Sequence, residues 1–237
     1  MGKWVTEYVR LPDVRIAYRQ AGHGPVVLLL HGNSESKSLF AKYQQVYFPM
    51  FHTYAVDSRG HGETVSGDEA YSIGQFADDI IAFCGVLGIS KAHVIGTSDG
   101  GNIALHLAKK APKTFTKLVA ISPNYLAAET VDWTLTLFQT MKTVLVAIGK
   151  LGLPTRKAIL RFNLMLTDIG LSAQDLAGIR TKVRILYAEH DLVKESHILE
   201  IGRLIPDAGV RKMDGCNHMT ICEKKESIAD ITDYLRG

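Results

Sequence analysis

The chain has 237 residues, 46% of them hydrophobic and 22% charged, a balance that fits one globular domain and excludes a disordered or fibrous chain. Lys and Arg number 27 against 24 Asp and Glu, a formal net charge of +3, so electrostatics gives no reason to expect a nucleic-acid or membrane partner. The longest strongly apolar run, Val26–Leu30, is far short of the ~20 residues of a membrane-spanning helix.

In chain order, residues 1–10 hold Lys3, Glu7 and Arg10 and lack the apolar core of a secretory signal. Gly2 followed by Thr6 fits the minimal myristoylation pattern, in a segment that already reads as a strand. Residues 5–10 and 14–21 read as two β segments joined at Pro12-Asp13. Residues 25–31 form a continuous apolar run ending at Gly32, the pattern of a strand buried on both faces of a parallel sheet. Residues 53–56, 92–95, 118–121 and 183–187 repeat it. Between them, residues 73–87, 102–110, 195–205 and 227–235 have helical periodicity. Alternation of this kind predicts βαβ units, a parallel sheet and helices on both faces. Residues 125–180 break the rhythm with several consecutive helical stretches, one entered through a Ser172 cap. They are expected to form a helical cap inserted into a core of residues 1–124 and 181–237, with Met141, Val144, Leu145 and Ile148 on its underside. Three cysteines, an odd number, argue against a disulfide framework and for a reducing, cytoplasmic setting.

Residues 92–95 lead into Gly96-Thr97-Ser98-Asp99-Gly100-Gly101, and a helical stretch follows. This is G-x-S-x-G in its required setting of strand, sharp turn and helix. A serine hydroxyl is a weak nucleophile until a base takes its proton and an acid orients that base. Asp191 follows the strand at 183–187, and His218 follows a short strand at 210–213, so Ser98, Asp191 and His218 each fall beyond a strand's carboxyl end. Glu189 is the rival acid and His190 the rival base. Two main-chain N–H groups must hold the oxyanion; Asp99, after the nucleophile, and Asn33, after His31-Gly32, are best placed. Cys216, His218 and Cys222 lack a fourth ligand for a metal box, and no metal or cofactor is expected. Lys142, Lys150, Arg156, Lys157 and Arg161 form a basic stretch read as a solvated helix face.

These pieces, with Asp57-Ser58-Arg59-Gly60-His61-Gly62, resemble the α/β-hydrolase superfamily across nearly the whole chain. The resemblance implies an eight-stranded, mostly parallel sheet, a cap at residues 125–180 and a cofactor-free hydrolase; it gives residues 57–62 no catalytic role beyond shaping a loop near the site. Two positions depart from the common pattern: Thr97 stands where histidine is frequent, and Asp99 where Met or Gln is frequent. The Ser98-Asp99-Gly100-Gly101 elbow is similar to that of the biphenyl-hydrolase-like group, in which the acid after the nucleophile recognises a substrate amino group. Asp99 is read either as that anchor or as a helix-start carboxylate favoured by the dipole. The expected function is hydrolysis of a small-molecule partner, a largely apolar carboxylic ester, with aminoacyl esters as a variant; C–C bond hydrolysis, perhydrolysis and peptide hydrolysis on the same fold stay open as alternatives. A triad-bearing binding or signalling protein with little turnover is the second reading. Dehalogenase chemistry is disfavoured, because its nucleophile is an aspartate where Ser98 stands.

Overall fold

A computed structural model describes residues 5–66 and 70–237; the Gly2 pattern lies outside them. β1 (Glu7–Arg10) and β2 (Val14–Ala21) form an antiparallel hairpin closed by the Leu11 N–H on the Val14 carbonyl. The chain continues through β3 (Val26–Leu30), β4 (His52–Val56), β5 (Val65–Ser66), α1 (Ile73–Val86), β6 (Ala92–Thr97), α2 (Asp99–Lys110) and β7 (Phe115–Ile121). Three helices follow: α3 (Asp132–Lys150), α4 (Arg156–Met165) and α5 (Ala173–Ala177). β8 (Lys182–His190), α6 (Glu195–Leu204), β9 (Ala208–Asn217) and α7 (Lys225–Arg236) complete it.

The sheet runs β1-β2-β4-β3-β6-β7-β8-β9. β1, β2 and β5 pair antiparallel, and β4, β3, β6, β7, β8 and β9 are mutually parallel. The eight strands expected are this path. A ninth, the two-residue β5, pairs with β2 beside it; so short a strand, with one apolar residue, carries no periodicity to read.

Strand geometry sends alternate residues to opposite faces. In β3, Leu28 and Leu30 join the core shared with α1, α2 and α6, while Val27 and Leu29 join the one shared with α7 and the segment holding Phe40, Tyr43 and Phe48. These four β3 residues are inaccessible to solvent, and each such burial stabilises by ~1.5–3 kcal/mol. That double-sided burial explains the unbroken apolar run and holds the strand ends, where the loops converge, in fixed relation.

Two strands exceed their apolar cores. β8 runs on to His190, so Glu189 and His190 are exposed strand residues and Asp191 is the first residue beyond. β9 continues past Met213 to Asn217 across a register shift, and His218 follows directly. The Ser172 cap is present as a full capping box with Asp175. On α3 the expected pocket-facing stripe is corrected: Met141 and Val144 are exposed, whereas Thr134 is buried and Phe138 faces inward to a cavity. Thr134, Phe138, Met141, Leu145 and Ile148 share one face of the helix; that face is covered near its start, Leu145 and Ile148 are half-buried without lining the cavity, and Met141 is exposed.

Candidate active site

The turn between β6 and α2 forces Ser98 into a positive-φ conformation (φ 53°, ψ −119°). A non-glycine residue there stores about 1–3 kcal/mol, which its surroundings must hold in place. They do so by close approach. A side chain on Gly96 would meet the Gly100 carbonyl oxygen at 2.0 Å, and one on Gly100 would meet the Leu30 carbonyl oxygen at 2.0 Å. The Ser98 N–H donates to the Ile121 carbonyl (2.8 Å), tying the turn to β7. Ser98 thus stands between the ends of β3 and β7, at the head of α2.

His218 arrives by a different local device. The Asn217 side-chain oxygen accepts the N–H groups of Met219 (3.0 Å) and Thr220 (3.1 Å), an Asx turn that reverses the chain at the end of β9. His218 Nδ1 lies 2.6 Å from Asp191 Oδ1, and the Asp191 side chain is 3% exposed. With Nδ1 donating to the carboxylate, Nε2 is the acceptor nitrogen of the ring. Asp191 is held at both oxygens: Oδ1 also accepts the Val193 N–H (3.2 Å), and Oδ2 accepts the Ser122 hydroxyl (2.5 Å) and the Ala188 N–H (2.9 Å). Burial opposes its ionisation, but His218, Ser122 and Ala188 outweigh that and keep the carboxyl below its ordinary range. Ser122, itself at positive φ (52°), was not singled out from sequence; a serine after a buried strand has no distinctive local pattern.

Ser98, Asp99, Asn33 and His218 all line one cavity of about 220 Å³. Its other wall is apolar and comes largely from the segment between β7 and β8, with Phe138, Leu164, Met165 and Ile169, joined by Leu192 and Val193. Phe138 packs edge-on against Phe162, which joins α3 to α4. The rivals are not brought here: Glu189 accepts the Gly215 N–H from its exposed position, and His190 pairs along the strand with Asn217. Cys216 donates to the Met213 carbonyl, and His218 is committed to Asp191. Arg161 differs from the solvated face expected for the basic stretch, because its guanidinium donates to the Gly60 carbonyl (2.6 Å).

Asp99 is 8% exposed, and its Oδ2 accepts the Asn33 amide (3.0 Å). The same amide nitrogen donates to the Arg161 carbonyl (3.0 Å), so Asn33 bridges the elbow and α4. Burial pushes the Asp99 carboxyl up to about 6, against the Asn33 hydrogen bond and the nearby His218. A carboxylate that merely favours a helix dipole would face solvent; this one is enclosed beside Ser98. Main-chain N–H groups at the start of α2 have no partner within the helix, and the Gly32 turn lies against the elbow, a Cβ at Gly32 falling 3.1 Å from Ser98 Cβ. Sequence reasoning also passed over Glu35, Asn102 and Asn124, which line the same cavity. The two asparagines bond to each other, Asn102 Nδ2 to Asn124 Oδ1 and Asn124 N–H to Asn102 Oδ1.

Residues 25–147, more than half of the chain, match the family model of the alpha/beta hydrolase fold, and the chain belongs to that family. Among curated proteins it is similar to 2-(acetamidomethylene)succinate hydrolase of Mesorhizobium japonicum, 28% identical over 54% of this chain and 47% of that one. It is also similar to the putative carbamate hydrolase RutD of Caulobacter vibrioides, 35% identical over 41% of this chain and 36% of that one. The matched segments thus span less than half the length of these relatives. The enol-lactonase of Burkholderia xenovorans shares the fold, with a TM-score of 0.78 at 18% identity over 98% of this chain and 100% of the other.

Proposed function

We propose that the protein is a serine hydrolase of small, largely apolar carboxylic esters, with aminoacyl esters as the favoured variant. The observation that carries this reading is a strained, half-buried serine lining one cavity with a histidine whose Nδ1 is bound to a buried carboxylate. In this reading His218 Nε2 takes the Ser98 proton as Oγ attacks the ester carbonyl. Asp191 holds the ring's tautomer, and the Asn33 and Asp99 N–H groups receive the oxyanion. The proton then passes from His218 to the departing alcohol. Water, deprotonated by the same nitrogen, releases the acid from the acyl-serine. The segment at residues 125–180 acts as the cap that shapes the pocket, and Asp99 meets a substrate amino group. No metal or cofactor enters the scheme, and the three free, buried cysteines favour a reducing, cytoplasmic setting.

The curated relatives act on other bonds by name, so the substrate class rests on this site's own chemistry. The test is labelling with a fluorophosphonate, followed by pre-steady-state kinetics with a chromogenic ester. A labelled Ser98 and a burst that gives way to steady turnover support the proposal. One equivalent of product followed by a stall points instead to a triad-bearing binding protein. Labelling elsewhere, or none, overturns it.

A further inference from the structure

We infer that Glu35 is a specificity residue of this site, its carboxylate joining that of Asp99 to receive a positively charged nitrogen carried close to the substrate's scissile carbonyl. This rests on the serine-hydrolase reading above.

The loop after β3 is folded so as to bring Glu35 back over the nucleophile. Ser34 adopts a positive φ of 59°. The Glu35 N–H then donates to the Gly32 carbonyl (3.3 Å), and Glu35 Oε2 accepts the Gly32 N–H (2.8 Å). A Cβ placed on Gly32 would lie 2.8 Å from Glu35 Oε2 and 3.1 Å from Ser98 Cβ. The carboxylate and the nucleophile therefore flank the same point. Asp99 follows Ser98 directly, enclosed and held by Asn33.

The charge balance of the cavity is one-sided. Among the described residues that line it are two carboxylates and no Lys or Arg; the one basic side chain, His218, is already bound to Asp191. Both carboxyls are pushed up by burial, partly offset by their hydrogen bonds and by His218. A structural role for Glu35, closing the turn on the Gly32 N–H, needs only a neutral acceptor such as Gln and would not require a buried charge. Two carboxylates also oppose an oxyanion forming beside them, an effect that grows at low local dielectric. A cation on the substrate reverses the sign of that effect and gives both acids a partner. The apolar wall of Phe138, Leu164, Met165 and Ile169 then takes the uncharged remainder. The chemistry described is that of an α-amino ester or a similar acyl compound with an ammonium near its carbonyl.

The experiment uses a matched pair of chromogenic esters, one with a free α-amino group and one with that group acetylated, on the full chain. The readout is the ratio of their kcat/KM values. Wild type favours the amino ester; Glu35→Gln lowers the ratio ten-fold or more, and Glu35→Asp restores part of it. A ratio in Glu35→Gln within two-fold of wild type overturns the inference, as does an equal fall for both esters. A second measurement needs no variant: butylammonium should slow fluorophosphonate labelling of wild-type Ser98 more than butanol does. Equal protection by the two also overturns the inference and leaves the hydrolase reading standing. Absence of both labelling and ester turnover in wild type instead removes the hydrolase reading itself.

Discussion

At the scale of single residues, the site is a set of strained or buried groups held by specific partners. Ser98 keeps its conformation because Gly96 and Gly100 let backbone approach where a side chain would collide. Ser98→Ala should therefore leave the fold intact and lower kcat about 10³-fold or more, measured with the chromogenic ester. Ser122 touches no substrate in this scheme and acts through Asp191. Removing its hydroxyl takes away a hydrogen bond to a charged acceptor, about 1.5–3 kcal/mol. Ser122→Ala should reduce kcat about ten-fold or more with little change in KM. Asp99 yields a prediction with a sign. Its folded carboxyl titrates near 6 against an ordinary 3.8, so the folded state binds the proton more tightly. Stability is consequently lost as pH rises from about 4 to about 6, and stays lost above. Asp99→Asn escapes that penalty. Thermal denaturation should show the variant more stable by ~2–3 kcal/mol at pH 8 and equal to wild type below pH 4. In wild type, any preference for an amino ester should decline as pH falls through about 6, when Asp99 loses its charge.

At the scale of elements, α3 and α4 decide the shape of the pocket. The apolar stripe of α3 meets the core and the cavity near the start of the helix, where Thr134 is buried and Phe138 lines the cavity, whereas Met141, three residues on, is exposed. The cavity is met by Phe138, and by Leu164 and Met165 of α4. Phe138→Ala should thus widen the pocket and shift the preferred acyl chain to longer homologues by several-fold in kcat/KM, whereas Met141→Ala should leave the chain-length profile as it is. Asn33 and Arg161 join this region to the core, one through its amide on the Arg161 carbonyl, the other through its guanidinium on the Gly60 carbonyl. These contacts fix where the apolar wall stands relative to Ser98. No helix of the described residues is long and apolar enough to cross a membrane.

At the scale of the whole molecule, a buried polar network supports the loops around the site from below. Lys37, 3% exposed, is bound to Asp57 (2.7 Å), which is fully buried, and to Glu63 (2.7 Å). Asp57 also accepts the main-chain N–H groups of Lys37 (2.6 Å) and Glu63 (2.8 Å). Removing one member of such a pair strands the other, at about 3–5 kcal/mol. Lys37→Ala should lower the midpoint of thermal denaturation by several degrees or more, with the loss extending to the β3 and β4 ends that carry Asn33 and Asp57.

What the sequence determined by itself was whatever is written in short range. Unbroken apolar runs required strands buried on both faces, and G-x-S-x-G between a strand and a helix required the elbow. Ser172 and Asp175, three residues apart, required a cap. The expected nucleophile, acid and base all lie where the loops beyond strand ends converge, because each was read from its own strand. Four matters needed the tertiary structure. β5 is recognisable only by its partner β2. β8 and β9 extend beyond their apolar cores because pairing with a neighbour, rather than hydrophobicity, carries those last residues. The part of α3 that meets the cavity was misread because local periodicity reports an apolar stripe but not how far along the helix something covers it. Ser122, Asn33's side chain and Glu35 lie far from their partners in sequence or inside loops without a pattern. Their roles exist only once the parallel sheet aligns the ends of β3, β6, β7 and β8 within hydrogen-bonding reach of one another.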